Sequence, residues 1–158
     1  MSYVKMLRMI MAPTVVFGAN GLTQASGQVS IPPDPIYVQE CGSCHVPYPA
    51  RRLSAASWRA VLNGLDRHFG SDASLDPATL KPIAAYLEAQ ARRRATLGED
   101  GQPLLRITET RWFRHEHEEI PERTWKLPTV QSPAHCEACH TAAERGNYSE
   151  HALHLPRE

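Results

Sequence analysis

The chain has 158 residues, 17 basic and 17 acidic, and is formally neutral; 42% of it is apolar and only 7% aromatic. That balance excludes a nucleic-acid or anionic-surface binder that works by bulk positive charge. The length suits one compact domain or two small lobes.

The first 25 residues carry Lys5 and Arg8, no acidic residue, and a mostly apolar run from Met9 to Leu22. Small residues follow, with a cleavage site expected at Thr23-Gln24-Ala25, so residues 1–25 read as a secretory signal peptide. Pro13, Asn20 and two glycines interrupt the apolar run, which argues against a stable membrane span; an uncleaved anchor is the alternative. Removing this leader leaves 15 basic against 17 acidic residues, a formal charge of about −2.

Residues 26–35 are polar and proline-rich and read as a flexible leader. A short helix is expected from Tyr37, running into Cys41-Gly42-Ser43-Cys44-His45. The same pattern returns as Cys136-Glu137-Ala138-Cys139-His140, and the two copies use all four cysteines. Cys-x-x-Cys-His is the attachment pattern of c-type haem: the thiols add to the vinyl groups and the adjacent histidine binds the iron. Paired cysteines also hold structural zinc or form redox disulfides. Zinc does not require a histidine after the second cysteine, and no βαβ pattern supports a thioredoxin-like site. The motifs therefore predict two covalent haem c groups on Cys41, Cys44, Cys136 and Cys139, with His45 and His140 as iron ligands.

Methionines occur only at positions 1, 6, 9 and 11, all inside the expected signal peptide. His/Met ligation is then unavailable to the mature chain, which predicts low haem potentials. The remaining histidines are His68, His115, His117, His135, His151 and His154. A helix is expected over residues 54–68 with Ser54 as N-cap. On it Trp58, Val61, Leu65 and His68 share one face, pointing to His68 as the distal ligand of the first haem. Asp76-Pro77 reads as an N-cap with proline at N1, opening a helix towards Arg94; Pro82 is an obstacle inside it. Residues 92–94, three arginines, read as its solvated C-terminal end.

Residues 97–103 form a glycine-containing linker and the expected domain boundary, giving a first haem lobe over residues 26–97 and a second over 98–158. After an extended stretch at 104–107, a helix is expected over residues 110–120. On it Phe113, His117 and Ile120 share a stripe, whereas His115 has no apolar companions. That favours His117 as the second distal ligand and leaves His115 to solvent or a propionate. Prolines 121, 128 and 133 punctuate the approach to the second motif. His135 is tethered too closely to bind its own motif's haem, and His151 and His154 are expected on a mobile, exposed tail. Arg51, Arg52, Arg111 and Arg114 are possible propionate partners. No sustained strand alternation occurs, so the fold class is mainly α with long loops, the N-terminal lobe cytochrome c-like. With few large apolar clusters, the chain is expected to depend on its haems for buried surface.

Several strings resemble the bacterial dihaem cytochrome c family, DHC. They are Trp58 with Gly64-Leu65-Asp66 and His68-Phe69-Gly70; Arg106-Ile107-Thr108 with Trp112-Phe113 and His117; and Cys136 to His140 followed by Ala143-Glu144-Arg145-Gly146 and Tyr148. The resemblance spans roughly residues 36–156. It implies bis-histidine irons, His45 with His68 and His140 with His117. It also implies a periplasmic electron-transfer protein, often supplying a small oxygen-binding monohaem cytochrome or linked to a membrane b-type cytochrome. The histidine-bearing tail departs from that pattern. A haem enzyme or a gas or peroxide sensor with one open iron is the alternative, although dihaem peroxidases are much longer chains.

Overall fold

The computed structural model describes residues 33–156; the expected signal peptide and most of the leader lie outside them. Helix α1, Pro35–Cys41, starts where Asp34 accepts hydrogen bonds from the Ile36 and Tyr37 amides, with Pro35 at the first helical position. It ends on the first motif cysteine instead of running through to His45. Gly42 caps it by donating to the Val38 carbonyl at 3.0 Å, and a Cβ at Gly42 would collide with that same oxygen.

Helix α2, Ala55–Leu62, begins at the expected Ser54 cap, which accepts from the Ser57 amide, but it stops six residues short of His68. Asn63 and Gly64 break it, and a separate 3-10 turn, Leu65–Arg67, resumes before His68. Helix α3, Pro77–Gln90, opens as expected on Asp76 and Pro77 and runs through Pro82 without interruption. It ends four residues before Arg94. Ala91 turns extended and the Arg92 amide donates to the Leu53 carbonyl at 2.8 Å, so residues 92–94 lie beyond the helix and not on its last turn.

One apolar cluster holds these elements together: Tyr37, Ala50, Leu53, Trp58, Val61, Leu62, Ile83 and Leu87. Trp58 buries its ring there and satisfies its indole N–H on the Ala50 carbonyl at 2.7 Å. Buried hydroxyls of Ser54, Ser57 and Thr96 bond one another, tying the start of α2 to the chain beyond α3.

The later chain is built from short pieces. A 3-10 turn, Ile107–Glu109, precedes α4, Arg111–Glu116, which Thr110 caps; α5 covers Glu122–Trp125. The second motif forms a 3-10 turn, Cys136–Ala138. Its buried apolar residues are few: Phe113, Val130, Ala142 and Ala143. The tail, expected to be mobile, folds back on the second motif. The His154 amide donates to the Cys139 carbonyl at 2.8 Å, and the Thr141 amide to Ala152 at 3.2 Å. His151 and His154 themselves stay exposed. Among the described residues the architecture is helical, with only isolated β-bridges, and these residues fall within one contact unit. No helix among them is long and apolar enough to cross a membrane.

Ile83 and Leu87 are 0% and 1% exposed. Leu87→Ala should therefore cost about 2–5 kcal/mol in denaturant unfolding followed by the visible absorbance, whereas alanine at Leu97, 53% exposed, should change stability by under about 0.5 kcal/mol.

Candidate functional site

The two motif histidines each face a second imidazole. The His45 and His68 ring centroids are 6.3 Å apart with an interplanar angle of 20°. Those of His117 and His140 are 6.2 Å apart at 75°. All four rings are half-buried. No disulfide pairs any of the four cysteines, and as thiols Cys41 and Cys136 are pushed up to about 11 by burial, reinforced by Glu40 and Glu137 respectively.

His45 sits just past the turn that α1 leads into. Its Nδ1 lies 2.8 Å from the Val46 carbonyl, which only accepts, so Nδ1 carries the proton and Nε2 is free to bind a metal. Its partner His68 is placed by the turn that follows α2, not by the helical stripe on which the sequence put it. The Leu65–Arg67 turn delivers the ring, the Ser71 amide bonds the His68 carbonyl at 3.0 Å, and Phe69 takes a φ of 50°. A bulky side chain in the left-handed region is uncommon. Here the Phe69 ring packs 4.8 Å from His68 and beneath the Arg106 guanidinium, 3.9 Å from its centroid.

The second pair is built the other way round, its non-motif histidine coming before the motif. His117 is the C-cap of α4, which ends at Glu116 and not near Ile120 as the sequence suggested. Its Nδ1 bonds the Phe113 carbonyl at 2.9 Å, which again leaves Nε2 free. Its ring stacks on Phe113 at 4.0 Å and lies 5.9 Å from Trp125. A cleft of about 280 Å³ opens there, lined by Thr108, Phe113, Arg114, His117, Trp125 and Pro133. Across from it, His140 meets Tyr148 at 5.4 Å. Among the described residues the buried His140 Nδ1 has no protein partner, and neither do the buried Glu137 Oε2 and the Tyr148 hydroxyl, so three open demands gather around the second motif.

The other histidines are turned to different tasks. His115 is exposed, with Nδ1 3.5 Å from Glu118. His135 bonds the Val130 carbonyl at 3.0 Å and approaches Glu137 at 3.4 Å. Arg111 and Arg114 line a wider cleft of about 680 Å³ with Arg92, Trp112 and His115, and Arg52 lies 3.5 Å over the Trp112 ring. Tyr48, Trp125 and Tyr148 border the paired imidazoles; Tyr148 stands in one of the strings quoted above, while Tyr48 and Trp125 carry no signal in the sequence.

Two facing imidazoles with about 6 Å between centroids leave room for one metal atom at roughly 2 Å from a nitrogen of each ring. With a Cys-x-x-Cys pair beside each, the residues fit two c-type haems. Burial disfavours the protonated form of His68 and His140, and the facing imidazole adds to it. Both are thus held in the neutral form that binds a metal.

Residues 37–148 match the dihaem cytochrome c family. Among solved structures, the chain is similar to DHC from Rhodobacter sphaeroides, with 43% identity, a TM-score of 0.63, and coverage of 73% of this chain and 96% of that one. It is also similar to a diheme cytochrome type c from Shewanella baltica, with 41% identity, a TM-score of 0.67, and coverage of 80% and 95% respectively. No significant match was found among curated proteins.

The lowered proton affinity of His68 and His140 has a defined pH consequence. Their neutral forms favour the folded site above the ordinary histidine value of 6.5, and that contribution is lost as pH falls below it. An acid titration followed in the visible spectrum should show ligand loss only below pH 6.5; loss beginning above that value would contradict the burial argument.

Proposed function

The chain belongs to the dihaem cytochrome c family and carries two c-type haems, and from that premise we propose that it is a periplasmic carrier of single electrons whose two irons are each held by a pair of histidines at low potential. The observation that carries this reading is the facing of His45 with His68 and of His117 with His140, at 6.3 and 6.2 Å between ring centroids. Cys41 and Cys44 tether the first haem, Cys136 and Cys139 the second. Bound in these sites, the haems supply one-electron oxidation and reduction.

The protein's own groups set how easily that happens. His45 and His117 each fix their tautomer on a backbone carbonyl, so Nε2 is the ligand atom. Two neutral nitrogens per iron, with no methionine after residue 11, support low potentials. A closed coordination sphere on both irons supports transfer over catalysis, because neither substrate nor gas has an open position to occupy. The division at Leu97 gives each half one motif and its own second histidine: His68 follows the first, and His117 precedes the second. The proposed signal peptide over residues 1–25 sends the chain to the periplasm, where its donors and acceptors are other redox proteins. A small oxygen-binding monohaem cytochrome and a membrane b-type cytochrome fit that role.

Low-temperature EPR of the oxidised holoprotein tests the reading. It should give two low-spin signals that cyanide does not alter, and a redox titration should place both potentials below those of His/Met cytochromes. His68→Ala and His117→Ala should each convert one signal to high spin and create one carbon monoxide site in the reduced protein. A cyanide-sensitive high-spin signal in the unaltered protein would replace the carrier with an enzyme or sensor bearing an open iron.

A further inference from the structure

We propose that Tyr48 is a positioning residue that couples the two haem sites. Its ring stacks on the His45 imidazole, with centroids 4.6 Å apart and planes inclined by 17°. Its hydroxyl donates to the Ala134 carbonyl at 2.8 Å, a contact between residues 86 apart in sequence. Ala134 lies two residues before Cys136, whose Sγ is 3.7 Å from the same oxygen. One side chain therefore touches the first motif's histidine and the backbone that presents the second motif's first thiol. Among the described residues no other hydrogen bond joins residues 35–53 to residues 130–156.

Tyr48 is itself anchored. Tyr37, 3% exposed in the apolar cluster, donates its hydroxyl to the Tyr48 carbonyl at 2.7 Å. A space-filling ring would need no hydroxyl at this position. The bond to Ala134 is what converts packing against His45 into a fixed placement of the second motif. When the sites exchange an electron, the reduced haem of one is oxidised and the oxidised haem of the other is reduced, and the Tyr48 proton stays in place. The inference rests on the carrier reading in that the two haems exchange electrons.

The test compares the holoprotein with Tyr48→Phe, which keeps the ring and removes the hydroxyl. After reduction by a radiolytic pulse, the concentration-independent phase that reports equilibration between the haems should slow several-fold. Amide exchange over residues 134–140 should rise, while both EPR signals keep their positions. Tyr86→Phe, at a half-buried tyrosine that packs on Tyr37, should match the unaltered protein. If Tyr48→Phe does not yield holoprotein, Tyr37→Phe, which frees the Tyr48 carbonyl, should shift both readouts in the same direction by less. An unchanged rate and unchanged exchange in Tyr48→Phe overturn the proposal. So does equal slowing in Tyr86→Phe, or a wild type without a concentration-independent phase. A high-spin signal in the wild type would instead remove the two-histidine reading and leave the Tyr48 comparison intact.

Discussion

Two imidazoles can share a metal atom only if the protein holds them on opposite sides of it, half-dehydrated and neutral, at a separation that neither would choose alone. The pairs His45–His68 and His117–His140 meet that constraint at 6.3 and 6.2 Å, and much of the surrounding chain serves it. A protonated ring in either pair would meet its partner across a poorly solvated gap, which is why burial and the facing imidazole lower the proton affinity of His68 and His140. In our reading a haem iron held between them offsets the dehydration of these rings, and the fold around each pair is organised for that group more than for itself.

This explains the uneven distribution of apolar packing. The first half of the molecule has a conventional core in which α1, α2 and α3 bury Tyr37, Leu53, Trp58, Ile83 and Leu87. The second half buries little beyond Phe113, Val130 and two alanines. Its order comes from turns and backbone bonds, such as those that return residues 152–154 to the second motif. A chain of this kind falls short of the apolar burial a small domain needs, and a covalently attached porphyrin is surface of the missing type. In our reading the haems are cofactor and core at once, most completely in the second half.

An electron carrier gains from sites that change little when charge arrives, and the supports of the four histidines have that character. Backbone carbonyls hold His45 and His117 by Nδ1. A left-handed Phe69 beneath Arg106 closes the turn beside His68, and Tyr148 and the returning tail flank His140. Arg106 comes from the chain after the linker yet rests over a residue next to the first pair, while Tyr48 reaches from the first motif to the second. The two sites are thus braced against each other, although each draws its paired histidines from its own stretch of sequence.

The motifs, the cofactor class and the absence of methionine beyond the leader were legible in the sequence, because covalent haem attachment imposes a short, nearly invariant spacing on chemically rare residues. The caps at Ser54 and Asp76 were legible for a similar local reason, since a side-chain acceptor beside free amides needs no distant partner, and the structure adds caps of the same kind at Asp34 and Thr110. Periodicity singled out His68 and His117. For His117 the spacing holds, since at the C-cap of α4 its ring still stacks on Phe113 four residues earlier, whereas His68 lies on a separate turn because Asn63-Gly64 end its helical stripe early. Only the tertiary structure decided which rings face each other, how the tail closes on the second motif, and that Tyr48, Trp125 and Tyr148 border the sites. Those contacts join residues far apart in the chain, and their formation depends on how short helices and turns pack, which no local pattern records.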